Sequence, residues 1–337
     1  MKPLLSILVP TYNRAILLER LIHELEQQLS DQHCSGLVEV LIADNASDDT
    51  TSQILNYYSN RNRSWTVIRH ATNIGPEANM LSLIVASTGS YRWVIGDDDL
   101  PWPGLLAHII ELLRSNSPSL VYLPSEWAPD ISTINPVPIQ NLHVEQCSSL
   151  KCARDLNIWV TFISSWIFSA DQLFSGLATV QTISSGMGTY FLPLGWILPF
   201  FVYPKSRILV VDRPCILATS GNTGGYAILQ AFMVNYPRLV HSYTCGFLRV
   251  RHALIGKSLR SYMPSLIMSV RLGNSFYNAG DSKGVLTQSI KFLWRYPDFW
   301  LFSIPALLCP VKLVQTLRSC KAIAKRRLQK VQSRMSA

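Results

Sequence analysis

Three consecutive carboxylates close the stretch Tyr91-Arg92-Trp93-Val94-Ile95-Gly96-Asp97-Asp98-Asp99-Leu100. Burying three negative charges together costs far more than packing returns. The triplet is therefore expected at the open end of a strand, facing water, a cation or both. Hard oxygen donors of this kind suit Mg²⁺ or Mn²⁺, which keep coordination positions open for substrate phosphates. A solvated acidic turn is the plain alternative. Two further polar corners argue against it, because Thr11-Tyr12 and Asp44-Asn45 also follow apolar runs. Three such ends describe a site in which one carboxylate can pair with a base edge and another can hold a metal diphosphate.

The elements that must position these corners are legible as apolar patterns. Residues 4–10 read as a buried strand, and Leu18, Leu21, Ile22, Leu25 and Leu29 follow at helical spacing. Residues 38–43 form a second strand, whose turn at 44–50 is rich in N-cap residues and opens a helix to about Tyr58. A third strand spans 65–69, and Pro76 starts a helix carrying Met80, Leu81, Ile84 and Val85. After the acidic stretch, Pro103 starts a helix bearing Leu105, Leu106, Ile109, Ile110 and Leu113. This fourfold alternation predicts an α/β fold with a parallel sheet and right-handed crossovers, and ligands bound beyond the carboxyl ends of its strands. No Gly-rich loop follows the first strand, so the common dinucleotide and P-loop readings fail and a nucleotidyltransferase is disfavoured.

Beyond this, residues 119–127 read as another strand, ending in Glu126-Trp127, and residues 128–150 as a boundary loop. The segment 190–202 is apolar but broken by Pro193, Gly195 and Pro199, too short and interrupted to cross a bilayer. Residues Gly221-Asn222-Thr223-Gly224-Gly225 suit either a lid or a surface turn.

The 337 residues suffice for one large domain or two, and the N-terminus carries no secretory signal pattern. Seven scattered cysteines read as reduced cytosolic thiols rather than bridges or a zinc site. The net charge of +9 is uneven: 17 of the 21 acids but 10 of the 30 basic residues precede residue 156. A basic half rich in aromatic and aliphatic residues fits an anionic membrane surface better than nucleic acid. Phe299-Trp300-Leu301-Phe302 begins an apolar wedge to Leu308, followed by Lys312, Arg318, Lys321, Lys325, Arg326, Arg327, Lys330 and Arg334 without an acid. That order suits an interfacial anchor, with a core helix and solvated tail as the alternative.

The run Ser6-Ile7-Leu8-Val9-Pro10-Thr11-Tyr12-Asn13-Arg14, the turn Ala43-Asp44-Asn45-Ala46-Ser47-Asp48, the turn Asn73-Ile74-Gly75 and the aspartate cluster resemble family 2 glycosyltransferases over roughly residues 4–115. The resemblance implies the GT-A fold, a Rossmann-like mostly parallel sheet flanked by helices, here with a helical, basic C-terminal extension. It also implies a nucleotide-sugar donor and a divalent cation, Mn²⁺ or Mg²⁺. By position, Asp44 matches the family's base-reading carboxylate, with Pro10, Thr11, Tyr12, Arg14 and Asn73 beside the nucleotide-sugar. Asp98 and Asp99 match the two later acids of its metal motif: Asp99, helped by Asp97, is the expected metal ligand, and Asp97 and Asp98 also face the donor. Gly96 stands where that motif has its first acid.

Residues 161–168, Gly188-Thr189-Tyr190 and Asp212-Arg213-Pro214-Cys215-Ile216 further resemble the abequosyltransferase-type branch, which adds dideoxysugars during O-antigen assembly. The chain departs from its relatives at the catalytic base. They commonly carry an acid in the segment matching 185–194, and none stands there. The branch's His after its Tyr is replaced by Leu192-Pro193-Leu194. Glu126 is then the candidate base, while Asp171 reads as a helix cap.

The expected organisation is a donor half at 1–127, an acceptor half at 128–235 and a helical, membrane-associating region at 236–337. The expected activity is sugar transfer to a lipid-linked or polysaccharide acceptor at the inner face of a bacterial plasma membrane. A non-catalytic relative that binds nucleotide-sugar or scaffolds an assembly is the alternative.

Overall fold

A computed structural model of the chain describes residues 2–61, 65–220, 227–273, 282–310 and 312. Strands β1 (Leu5–Thr11), β2 (Val38–Asp44), β3 (Trp65–Arg69) and β4 (Tyr91–Val94) alternate with helices α1 (Ala15–Leu29), α2 (Thr51–Arg61) and α3 (Pro76–Ala86). All four strands are parallel, in the order β3-β2-β1-β4. Leu5, Ile7, Leu8 and Val9 are all buried, which explains why β1 is continuously apolar rather than alternating. The N-cap of α3 is Gly75, at φ 87, followed by Pro76 in the first turn.

Further along come β5 (Leu100–Pro101), α4 (Leu105–Asn116), β6 (Leu120–Tyr122), β7 (Ser125–Ala128), β8 (Val144–Cys147), α5 (Ser149–Leu156), β9 (Trp166–Ser169), β10 (Ile208–Val211) and β11 (Ile216–Thr219). The large sheet continues β4-β9-β6-β10-β8, with β9 antiparallel to both neighbours and β8 antiparallel to β10. A small second sheet has the order β5-β11-β7.

Two expectations are corrected. The strand anticipated at 119–127 is two strands in two sheets, because Pro124 has no amide to extend the ladder. There the chain leaves β6, and the Pro124 carbonyl accepts the Cys215 amide at 2.8 Å. The stretch 156–204, whose only charge is Asp171 and which falls in the expected acceptor half, is not an acceptor-side surface throughout. Helix Leu194–Val202 is buried from Leu194 to Phe201, and Phe168 stacks on Trp196 with ring centroids 6.0 Å apart.

The chain divides into two compact units, Met1–Thr223 with Asn235–Ile255, and Gly224–Val234 with Gly256–Ala337. Both sheets lie in the first. The described part of the second is helical, including Met263–Arg271, Ser282–Leu293 and Ile304–Leu308. Within the anticipated wedge Phe299 is buried, whereas Trp300, Leu301, Phe302 and Leu308 are exposed. The Gly221–Gly225 loop and the basic residues from Arg318 to Arg334 lie outside the described residues. Among the described residues, no helix is long and apolar enough to cross a membrane.

Candidate active site

The carboxyl ends of β1 and β2 stand side by side, with Thr11 in register with Asp44 and Asp44 in register with Arg69. The chain leaving β4 joins them through the Ile95 amide, which donates to the Leu8 carbonyl at 3.0 Å. The three polar corners therefore share one sheet edge.

Asp97 and Asp99 do not face water there: each is 4% exposed. Donors supplied around them make that burial tolerable. Thr11 Oγ1 donates to Asp97 Oδ2 at 2.7 Å, and Arg14 Nη1 lies 2.9 Å from Asp97 Oδ1 and 3.1 Å from Asp98 Oδ2. Ser164 Oγ donates to Asp99 Oδ2 at 2.5 Å and accepts the Gly96 amide at 2.9 Å. The Thr219 main-chain amide also binds the Asp99 carboxylate, and Thr219 Oγ1 donates to the Asp98 carbonyl at 3.0 Å. Burial still pushes Asp97 up to about 6, against the pull of Arg14 and Thr11. Asp99 is pushed up to about 8, by burial first and the Asp98 charge second, with the Ser164 hydrogen bond opposing.

Gly96 explains why no acid precedes the triplet. A Cβ at that position would sit 2.9 Å from Asp98 Oδ1 and 3.1 Å from Asp99 Oδ2. Two oxygens from successive carboxylates thus converge over one bare backbone position, a donor pair suited to a hard divalent cation. Asp97 has both oxygens committed to Thr11 and Arg14, so Asp98 and Asp99 form the better pair. Among the described residues, no three His, Cys, Asp or Glu side chains gather as a full ligand set, so phosphate oxygens and water would supply the rest.

Asp44 is fully buried and accepts the Ser47 amide at 2.9 Å and Arg69 Nε at 3.2 Å. Asn45 ties this turn to the next, donating to Asn73 Oδ1 and accepting the Ile74 amide, both at 2.9 Å. Tyr12 and Asn73 are exposed beside them and Pro10 is half-buried. Glu126 is exposed on β7, in register with Leu217, which pairs in turn with Leu100 directly after the triplet.

Sequence reasoning missed Ser164, Thr219, Asn79 and Glu77. Asn79 Nδ2 donates to the Ala43 carbonyl at 2.9 Å and reaches the Thr11 carbonyl at 3.5 Å. Glu77, almost fully buried, accepts the Gly188 amide at 2.5 Å and the Leu192 amide at 3.3 Å. The segment that lacks its own acid is met by one from α3. The available signal was an acid in a helix's first turn, which by itself reads as a dipole partner.

The family model described as glycosyl transferase family 2 matches residues 6–168. The chain is 35% identical over 98 residues to the abequosyltransferase RfbV of Salmonella typhimurium, covering 28% of each chain. It is 29% identical over 109 residues to the GalNAc(5)-diNAcBac-PP-undecaprenol beta-1,3-glucosyltransferase of Campylobacter jejuni, covering 32% of this chain and 34% of that one. Both alignments span about a third or less of the relative's length. Among solved structures, S. aureus TarS 1-349 superposes with a TM-score of 0.58 at 15% identity, over 90% of this chain and 91% of that chain. Its complex with UDP-GlcNAc gives 0.55 at 17% identity, over 77% and 72%. At such identity the likeness establishes the fold, which is GT-A.

Proposed function

Residues 6–168 being a glycosyl transferase family 2 domain, we propose that the chain moves a sugar from a nucleoside-diphosphate donor to a lipid-linked or polysaccharide acceptor in surface glycan synthesis. The observation that carries this reading is the convergence of Asp98 Oδ1 and Asp99 Oδ2 over Gly96, on the same sheet edge as Asp44. The relatives support it: one is named for abequose transfer, another for an undecaprenol-linked acceptor, and TarS is solved with UDP-GlcNAc.

Each residue then has a task. Asp44, fully buried and held by Ser47 and Arg69, is the candidate base-reading carboxylate, which a base N–H would reach by displacing the half-exposed Arg69 side chain. Asp98 and Asp99 would hold Mn²⁺ or Mg²⁺, which when bound neutralises the charge that develops on the leaving diphosphate. Arg14 fixes Asp98 from the far side through Oδ2, leaving Oδ1 turned toward Gly96. Ser164 and Thr219 fix Asp99. Glu126 is the candidate base for the acceptor hydroxyl, two strand spacings or about 10 Å from Leu100 across the small sheet.

One observation favours a binding-only role instead: both Glu77 oxygens are taken by main-chain amides, so it offers no base to segment 185–194. Release of sugar from donor to water separates the two readings, since a transferase site leaks some hydrolysis. For location, the exposed Trp300, Leu301, Phe302 and Leu308 support peripheral attachment to an anionic membrane face.

The test is calorimetry with UDP, GDP, CDP and dTDP, with Mn²⁺ and with chelator. One or more should bind in a metal-dependent way. Asp44→Ala should weaken that binding by about 1–3 kcal/mol, and Asp99→Asn should remove the metal dependence. Binding of none of the four, with or without metal, would overturn the reading.

A further inference from the structure

We propose that Trp127, Trp159 and Phe162 form the platform on which a saccharide acceptor lies, beside the carboxylate pair. The proposal rests on the glycosyl-transfer reading and adds which side chains recognise the acceptor. Trp127 packs against Phe162 with ring centroids 4.5 Å apart and against Trp159 at 5.6 Å. The planes meet at 53° and 43°, so the three rings make a corner and not a sealed stack. Trp127 stays 41% exposed and Trp159 45%, and Phe162 is half-buried. Single exposed apolar residues are ordinary, whereas clustered ones mark interaction surfaces.

Both segments that carry the rings are tied to the carboxylate pair. Ser164, whose Oγ donates to Asp99 Oδ2 at 2.5 Å and accepts the Gly96 amide at 2.9 Å, stands two residues after Phe162. Two residues span at most about 7 Å. The turn is closed by the Phe162 amide on the Trp159 carbonyl at 3.1 Å and the Ser165 amide on the Phe162 carbonyl at 3.4 Å. From the other side, Trp127 is in register with Ala218, next to Thr219, whose amide binds Asp99. The diagonal from Trp127 to Thr219 across neighbouring strands is about 6 Å. Ser125 shares a face of β7 with Trp127, and its Oγ lies 3.0 Å from Ser165 Oγ, which joins the two segments. By either route the backbone carrying the rings is on the order of 10 Å from the Asp99 carboxylate.

A sugar fits this corner better than a lipid surface does. The C–H groups on one face of a pyranose are apolar and slightly positive, and an indole face is negative. The charges nearest Trp127 along the chain are both acids, Glu126 and Asp130, and residues 156–170 carry none. Segments 125–130 and 156–170 thus offer no basic side chain to an anionic headgroup, whereas carboxylates accept from sugar hydroxyls. Separation argues the same way. An acceptor hydroxyl presented at the metal pair brings the rest of its saccharide to where the rings stand.

The experiment is saturation-transfer NMR on the full chain with the methyl glycosides of glucose, galactose, mannose, rhamnose and N-acetylglucosamine. Each is run alone and with whichever of UDP, GDP, CDP and dTDP binds in Mg²⁺. At least one glycoside should receive saturation at its ring C–H protons. Trp127→Ala and Trp159→Ala should each weaken its affinity about tenfold, as loss of an aromatic anchor does, and Trp159→Phe should retain most of it. Diphosphate affinity, read by calorimetry, should stay within about twofold in all three, since the rings are remote from the base. Binding of no glycoside to the natural chain, or unchanged affinity in both alanine variants, overturns the proposal while the nucleotide reading stands. Loss of sedimentation with neutral liposomes in those variants, with glycoside binding intact, assigns the rings to lipid and overturns it as well. Binding of none of the four diphosphates overturns the nucleotide reading, and the acceptor role falls with it even where a glycoside binds.

Discussion

Without a cation, the stability of the chain should fall as pH rises from about 5 to about 8, and Asp99 should be the main reason. In the unfolded chain this carboxyl titrates near its ordinary 3.8, and in the fold near 8. Across that window the folded state binds a proton that the unfolded state has released, so stability drops with increasing pH. The contribution is present in full below about 3.8 and gone above about 8. The slope is about 1.4 kcal/mol per pH unit for one such group, which over the upper part of the window reaches the order of 4 kcal/mol. Asp97 adds the same sign of slope only up to about 6. Urea denaturation in chelator at half-unit pH steps, for the natural chain and Asp99→Asn, isolates the term. The Asn variant keeps the shape of the side chain and loses the titration, so the two curves should converge only near pH 4 and separate steadily toward pH 8. Adding Mn²⁺ at pH 8 to 100 times its Kd should recover about 2.7 kcal/mol in the natural chain alone. Parallel pH profiles for the two proteins would refute the reasoning.

Three other outcomes are expected. Asn79→Ala should cost about 1–3 kcal/mol in urea denaturation, because it strips the buried Ala43 carbonyl of its side-chain donor. Glu39 behaves oppositely to Asp99: Ser6, Thr88 and Gly89 donate to it and hold its carboxyl below the ordinary 4.5 despite burial. The stability it supplies is present above about 4.5 and lost as pH falls through its lowered value, so Glu39→Gln should flatten the acid limb of the stability curve. Replacing Trp300 and Leu301 by Glu should reduce sedimentation with anionic liposomes while leaving diphosphate affinity unchanged, and equal sedimentation would remove the exposed wedge from any membrane role.

The first four strands were legible because each is a continuous apolar run stopped by a polar corner. Residues 4–10 were expected and Leu5–Thr11 found. What the pattern could not carry was pairing at long range. Trp166–Ser169 slips antiparallel between β4 and β6, and nothing local in those four residues selects those neighbours. The same distance hid the state of the triplet. Its burial depends on Ser164, 65 residues downstream of Asp99, and on Thr219 beyond that. From the sequence alone three carboxylates have no donors in sight, so exposure was the sound inference and the wrong one. Glu77 was overlooked for a related reason, since its role comes from amides at 188 and 192 and not from its own helix.

The buried triplet also reconciles two demands that look opposed. A site for a metal diphosphate must present negative charge, yet charge held out of water is costly. The chain divides the three acids accordingly. Asp97 is neutralised internally by Arg14 and Thr11, which makes it part of the scaffold. Asp98 is shared, with Oδ2 on Arg14 and Oδ1 toward Gly96. Asp99 has Ser164 and the Thr219 amide and, among the described residues, no cationic side chain as a hydrogen-bond donor. The carboxyl that burial leaves protonated up to about pH 8 therefore lies at the point where two carboxyl groups converge, and its proton is what a cation would displace. A cation arriving there gains from low dielectric surroundings more than it would at a solvated turn. On this argument the missing Cβ of Gly96 has a direct purpose: an acid at that position would bring a third charge into space that Asp98 and Asp99 already fill.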